Sequence, residues 1–244
     1  EGNFKIGGPA LSSTSYKFMR KFIEHCLWEK NYANGDTGTK LDFLSFHVKG
    51  GWAWQTPNMK RLTRLILSYH AVAKFYAKGS TNGEVDEKVN LLPKDFEIQI
   101  TELDPVVGCD LGVEDHPKFE FRNTEYYTAF IGYTATLMFW IKKKYGLNIT
   151  EVFSDNIHFS DEAGTVFKGT RNLTTAFFSN SEREKALDQS KVFAKPVVKA
   201  YQCLNTLYPE VLEVKTAEEN QSPIYDPVNM LATKKDSTLR LLVN

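Results

Sequence analysis

Phe96-Glu97-Ile98-Gln99-Ile100-Thr101-Glu102-Leu103-Asp104-Pro105 alternates apolar and polar residues and then halts at a proline. Phe96, Ile98 and Ile100 fall on one face of a period-two strand, and Pro105, which has no N–H to donate, ends the ladder three residues after Glu102. Glu102 is thereby carried to the C-terminal end of a strand, the place where barrel enzymes keep their chemistry. A strand-end acid taken by itself is better explained by solvation or a salt bridge. The elements around it decide between the two.

Outward from this strand, a short apolar strand, a loop and a longer helical pattern repeat four times, which argues for parallel βα units. The first strand is read at Phe4 to Gly7, ending in Gly7-Gly8-Pro9-Ala10, with a helix over Ser15 to Trp28 whose apolar side is Phe18, Phe22, Ile23 and Cys26. The second is Leu41 to Val48, followed by a helix over Met59 to Ala77 with Leu62, Leu65, Ile66, His70 and Val72 near one face. The Glu102 strand leads to a helix over Thr124 to Tyr145, stopped by Gly146. A fourth strand, Ile149 to Ser154, precedes a helical pattern around Val192 to Leu207, and Pro196 predicts that this helix begins near it, where a missing N–H costs least. After Tyr208-Pro209 the texture changes to β-like pieces at Glu210 to Val214 and Thr238 to Val243, separated by a polar stretch with Pro223 and Pro227. The reading is therefore an α/β chain, with residues 1–208 forming half of a (β/α)8 barrel and 209–244 the first strands of a second, β-rich domain. A half barrel leaves two open parallel edges and an uncovered interior. Residues upstream of Glu1, or another chain, are expected to complete it.

With 42% hydrophobic and 13% aromatic residues among 244, the chain can bury one sizeable core. Thirty basic residues balance thirty acidic ones, which leaves no electrostatic footprint for nucleic acid and no polybasic membrane patch. The most apolar segment, Tyr126 to Ile141, is shorter than a bilayer span and runs into Lys142-Lys143-Lys144, so it reads as a buried helix. The first ten residues lack a basic region followed by an apolar one, and any signal peptide is expected to be removed or to lie upstream. Cys26, Cys109 and Cys203 have neither metal-ligand spacing nor an even count. Sequons at Asn148 and Asn172, with a third at Asn220 weakened by Pro223, lean towards a secretory or lysosomal route.

If the three best-defined strands are parallel neighbours, Gly7-Gly8-Pro9, His47-Val48-Lys49-Gly50-Gly51 and Glu102-Leu103-Asp104 meet at one rim. His47 could be a satisfied core histidine and Lys49 a solvated loop residue, but together with two acids they line one cleft. Trp52 and Trp54 in the adjoining loop add flat aromatic faces of the kind that meet sugar rings, or one of them covers the barrel top. Asp104 could position Glu102 or serve only as a turn residue before Pro105.

In these blocks the sequence resembles the glycoside hydrolases of family 39, and among them the α-L-iduronidases. The resemblance is carried by Ile6-Gly7-Gly8-Pro9, by Gly38 to Gly50 with its Leu41-Asp42-Phe43-Leu44-Ser45-Phe46-His47-Val48-Lys49 run, by Glu102 to Gly108, by Ser154-Asp155-Asn156, by Arg171-Asn172-Leu173-Thr174 and by Lys195-Pro196-Val197, in the family's order. It implies a (β/α)8 barrel followed by a β-sandwich, with this chain supplying strands five to eight and the first sandwich strands. It also implies that Glu102 is the nucleophile of a retaining glycosidase. His47 and Lys49 would contact substrate, Lys49 at a uronic carboxylate. Gly108 would offer a backbone N–H, Asp155 would hold ring hydroxyls, and Arg171 would be a second cation for the carboxylate, since guanidinium and ammonium together suit a uronic acid. Cys109 stands where the iduronidases carry a tryptophan, and the stretch from Asp155 to Arg171 is longer than the family's loop.

A retaining glycosidase needs a second carboxyl as acid/base. The family's acid/base follows an asparagine on strand four, and no Asn-Glu pair exists in this sequence. The expected function is hydrolysis of terminal α-L-iduronic acid from glycosaminoglycans, dermatan sulfate or heparan sulfate, with the acid/base supplied by the missing N-terminal half of the barrel. The alternatives are a β-xylosidase-like relative and a non-catalytic product that binds glycosaminoglycan or a partner. No metal or organic cofactor is expected, because the mechanism needs none and no ligand cluster appears. The sequence does not fix the oligomeric state.

Overall fold

A computed structural model describes residues 4–12, 15–51, 58–79, 90–107, 117–154, 173, 194–214 and 230–243. In chain order its elements are β1 (Gly7–Leu11), α1 (Tyr16–Trp28), β2 (Phe43–Lys49), α2 (Met59–Phe75), β3 (Glu97–Asp104), a 3-10 helix (Pro117–Asn123), α3 (Glu125–Tyr145), β4 (Ile149–Ser154), α4 (Val197–Thr206), β5 (Glu210–Leu212), β6 (Met230–Lys235) and β7 (Thr238–Val243). They fall into two compact units, one of Glu1–Gly51, Pro57–Pro105 and Ile141–Ser154, the other of Trp52–Thr56, Val106–Trp140 and Asp155–Asn244.

The first unit holds a parallel sheet in the order β1-β2-β3-β4. Each strand pairs with the next in the chain, the arrangement of a singly wound sheet rather than one that reverses direction at a switch point. Alternation on β2 separates two faces. Leu44, Phe46 and Val48 are buried on one, where Phe46 stacks on Tyr69 of α2 at 4.3 Å between ring centroids. Ser45, His47 and Lys49 occupy the other.

Both helices of this unit begin at polar caps that satisfy otherwise unpaired first-turn N–H groups. Ser15 Oγ accepts from the Phe18 N–H at 3.2 Å, and Asn58 Oδ1 accepts from the Arg61 N–H at 3.0 Å. α2 buries Leu62, Leu65, Ile66, Tyr69 and Ala73; His70 and Val72 of the predicted face are only half-buried. α1 buries Met19, Ile23, Cys26 and Leu27, so its inner face is turned from the predicted one, and Phe18 is exposed. Tyr76, just past α2, donates its hydroxyl to Glu24 of α1 at 2.8 Å. Gly146, at φ +65°, follows α3 as predicted, and its N–H returns to the Lys142 carbonyl at 3.0 Å.

The first strand departs from the reading. Phe4 and Ile6 are exposed, and β1 is instead Gly7–Leu11, paired from Gly7↔Phe43 to Leu11↔Phe46. Gly7-Gly8-Pro9 therefore begins the strand, level with the early part of β2, and does not lie at the rim. An edge position tolerates the proline. The register shifts between Pro9 and Leu11, and the intervening Ala10, at φ +52°, donates its N–H to Ser45 Oγ at 2.9 Å.

In the second unit, Phe119 of the 3-10 helix packs on Val106. α4 starts directly after Pro196, as predicted. β5, β6 and β7 form an antiparallel sheet. β6 was not predicted; it pairs with β7 from Met230↔Val243 to Lys235↔Thr238, leaving a two-residue turn in which Asp236 takes φ +52°. Thr233 Oγ1 accepts the Tyr208 N–H at 3.0 Å. Arg240 donates to the Thr206 carbonyl and lies over the Tyr208 ring at 4.2 Å. A parallel sheet with its helices, plus an antiparallel sheet, is consistent with part of a (β/α)8 barrel and the start of a β-sandwich.

Leu62 is fully buried in α2, so Leu62→Ala is expected to cost about 2–5 kcal/mol by the lost transfer free energy and the cavity left behind. Ser15→Ala is expected to cost about 1 kcal/mol, the worth of one cap. Urea denaturation of the purified protein would rank the two, and equal losses would show that α2 does not pack as described.

Candidate active site

The carboxylate of Glu102 reaches its neighbours because β3 carries one more residue than β2 over their paired span and, just before Leu103, one more than β4. Pairing with β2 runs Ile98↔Leu44 and Ile100↔Phe46, then skips Thr101 and resumes as Glu102↔His47, Leu103↔Val48 and Asp104↔Lys49. Against β4 the same surplus appears between Ile100↔Val152 and Leu103↔Ser154. Strict alternation would have set Glu102 on the face of Ile98 and Ile100, beside Leu44 and Phe46. The bulge moves it to the face of Ser45, His47 and Lys49, a re-aiming that bulges commonly perform.

There, His47 Nδ1 donates to Glu102 Oε2 at 3.1 Å, and Lys49 Nζ lies 2.9 Å from the same oxygen. Both donors converge on Oε2. Among the described residues, Oε1 accepts no hydrogen bond. The side chains of His47 and Lys49 are 14% and 10% exposed, and that of Glu102 is 33% exposed, so the carboxylate is the reachable member of the trio. The hydrogen bond from His47, followed by the bond and charge of Lys49, outweighs partial burial and holds the Glu102 carboxyl at about 2, against an ordinary 4.5. It is a permanent anion at any ordinary pH.

The strand ends are locked around this trio. Gly50 donates its N–H to the Asp104 carbonyl at 3.0 Å and accepts from the Asn58 N–H at 3.2 Å. A Cβ on Gly50 would stand 2.4 Å from the Pro105 carbonyl oxygen, so only glycine permits this approach. Asp104, opposite Lys49 in register, is fully buried, a placement that sequence reasoning left open between positioning and turn formation.

The structure thus brings His47, Lys49, Glu102 and Asp104 to neighbouring strand ends. Trp52, Trp54, Gly108, Cys109, Asp155, Arg171 and Asn172 lie outside the described residues. Asn148 is described, and its Nδ2 donates to the Asp95 carbonyl at 2.8 Å. A cavity of about 520 Å3 opens at the other end of the sheet, lined by Leu41 and Pro93, which lead into β2 and β3; none of the trio lines it. Among the described residues no group of three or more His, Cys, Asp or Glu could hold a metal ion, and no helix is long and apolar enough to cross a membrane.

Sequence reasoning missed two features. The bulge has no signature in β3 itself, because it exists only relative to β2 and β4. In the second unit, Arg122 and Lys195 are buried cations; Arg122 lies over Phe119 at 4.7 Å and Phe121 at 5.4 Å. Burial, together with the charge of Arg122 and against that of Glu120, pushes the Lys195 ammonium down to about 8. Lys195 stood in a resemblance block, and Arg122 was not singled out.

No family model matches the chain, and no curated protein matches it by sequence. Among solved structures it is similar to one described as the bacterial orthologue of human α-L-iduronidase, a protein that does not need N-glycan modifications to be catalytically competent. The TM-score is 0.64 and the identity 21%, over 94% of this chain and 34% of that one. The chain spans about a third of that structure's length, and the likeness is one of fold alone.

The Glu102 carboxyl is lowered below its ordinary value, so its contribution to stability is complete above pH 4.5 and is lost as the pH falls towards 2. Removing the Lys49 charge by Lys49→Met should raise this titration towards 4.5. Carboxyl-carbon NMR of glutamate-labelled protein, assigned with Glu102→Gln, checks it; an unmoved titration would show that the 2.9 Å contact does not exist in solution.

Proposed function

We propose that this chain is the nucleophile-bearing part of a retaining glycoside hydrolase. The observation that supports this most is the Glu102 carboxylate at a strand end, fixed through Oε2 by His47 and Lys49, in a fold similar to that of a glycosidase. A nucleophile must be ionised when substrate arrives, and the two donors keep Glu102 so. The anchored oxygen orients the group, and the other is left to attack C1.

The second carboxyl of the reaction is not Asp104, which is fully buried. In this proposal it belongs to the strands that complete the barrel, as in the family whose acid/base follows an asparagine on strand four; β1 to β4 are then strands five to eight, and β5 to β7 open a sandwich domain. General acid catalysis is worth roughly 10²–10⁴-fold, so the four strands without that acid should turn over an unactivated glycoside poorly.

The finer reading is a glycosidase for terminal α-L-iduronic acid on glycosaminoglycans, secreted or lysosomal in keeping with the sequons at Asn148 and Asn172. It draws on Arg171 as the cation for the sugar carboxylate, with Asp155 and the Gly108 N–H as polar contacts. A β-xylosidase-like relative would have no use for Arg171.

A 2-fluoro-iduronosyl fluoride needs no proton for its leaving group, so it tests the nucleophile without the acid/base. Intact-mass and peptide analysis should find one sugar on the Glu102 peptide and none in Glu102→Ala. Binding of an iduronide without any adduct would support the non-hydrolytic glycosaminoglycan-binding reading instead. Arg171→Ala should cut the preference for uronide over neutral glycoside by on the order of tenfold or more, the worth of one charge-assisted hydrogen bond; an unchanged preference would favour the neutral-sugar relative.

A further inference from the structure

We propose that the outer face of the α1–α2 helix pair binds a linear sulfated polysaccharide, at a site separate from Glu102. The choice of a polysaccharide among polyanions rests on the glycosidase reading above; the basic surface itself does not. The chain's thirty basic and thirty acidic residues cancel overall, but not locally. α1 and α2 together carry seven of the Lys and Arg residues and a single acid, Glu24.

On α2, Lys60, Arg64 and Lys74 are exposed and fall on one stripe, opposite the side that buries Leu62, Ile66, Tyr69 and Ala73. On α1, Lys17, Arg20 and Lys21 are exposed. Tyr16 meets Tyr69 at 5.2 Å between ring centroids, and Glu24 accepts from Tyr76. The two helices therefore run side by side in one direction, with α1 alongside the C-terminal half of α2. Lys17, Arg20 and Lys21 lie level with the half that holds Lys74, and Arg64 and Lys60 continue the basic surface past the start of α1. At 1.5 Å per residue, Lys60 to Lys74 spans about 21 Å.

Little on the protein neutralises these charges. Glu24 already takes Arg20 at 2.9 Å and Lys21 at 3.1 Å besides the Tyr76 hydroxyl. Among the described residues, Lys17, Arg64 and Lys74 make no ion pair. The placement also runs against the helices' own electrostatics. Neither α1 nor α2 has an acid in its first turn, where the positive end of the dipole favours one, and each carries a lysine there, Lys17 and Lys60. α3 shows the ordinary arrangement, with Glu125 in its first turn and Lys142, Lys143 and Lys144 in its last. Cations gathered where the fold disfavours them are compensated by an anion from outside. Sulfate groups suit them, because guanidinium and ammonium both pair with such oxyanions. α2 packs on the apolar face of the sheet, Tyr69 against Phe46, and Glu102 stands on the other face. The helix pair thus holds a part of the polymer remote from the carboxylate, which raises the local concentration of chain ends without touching the chemistry.

The experiment is calorimetric titration of the purified protein with a heparin decasaccharide at several salt concentrations. Wild type should bind it, with an affinity that falls as salt rises. The triple variant Lys17→Gln, Arg64→Gln, Lys74→Gln should bind roughly tenfold more weakly, as three lost contacts of a few-fold each would give, and with a shallower salt dependence. The charge-conserving triple Lys17→Arg, Arg64→Lys, Lys74→Arg should bind like wild type. The triple Lys142→Gln, Lys143→Gln, Lys144→Gln removes as much charge from α3 and should leave binding within about twofold. The inference is overturned if wild type does not bind the decasaccharide, or if the two glutamine triples lose affinity equally. It is also overturned if a DNA duplex or phosphatidylserine vesicles bind wild type more tightly than the decasaccharide, which would give the surface to another partner. Its failure is distinguishable from that of the retaining reading: a sugar adduct on Glu102 without heparin binding defeats only this inference, and heparin binding without an adduct defeats only the nucleophile.

Discussion

One surplus residue in β3 governs what the rest of the chain presents. Ile98 and Ile100 must face Leu44 and Phe46, because those four side chains make the apolar side of the sheet. Leu103 must face Val48 for the same reason. Between Ile100 and Leu103 the period of two cannot be kept, since two residues intervene where the neighbouring strands offer one. The sheet resolves the conflict by bulging at Thr101, and the residue that benefits is Glu102. A buried carboxylate against Val48 would cost several kcal/mol in desolvation; beside His47 and Lys49 it finds two donors. The apolar core thus enforces the polar trio, and the trio removes the alternative register.

Much of the sheet was legible because its signals are local. α3 has a clean apolar run and a glycine stop, and the alternation of Phe96, Ile98 and Ile100 marks a strand without reference to any neighbour. β1 was misplaced because Gly7, Gly8, Pro9 and Ala10 supply almost no side chains to alternate. The apolar Phe4 and Ile6 just before them drew the strand upstream, and only pairing with Phe43 to Phe46 reveals the true span. β6 escaped for a similar reason: Met230 to Lys235 has weak strand propensity, and Asp236-Ser237 lacks the Asn-Gly or Asp-Gly signature of a two-residue hairpin turn. In the site, the meeting of His47, Lys49 and Glu102 followed from parallel strand ends. What the sequence could not yield was which oxygen the donors choose, since that depends on a bulge defined by three strands at once.

That choice of oxygen carries weight about purpose. A buried ion pair is poor evidence of stabilisation, because desolvation offsets most of the attraction. A pair kept for structure would do best with donors spread over both oxygens, as in bidentate arrangements. Here His47 and Lys49 crowd onto Oε2, and among the described residues Oε1 accepts no hydrogen bond. With one oxygen anchored by two donors, the carboxylate is held in one orientation and kept ionised, while the other oxygen retains its lone pairs. Such asymmetry gives little to the fold. It suits a group that must first form a bond through one oxygen and then recover its charge through the other.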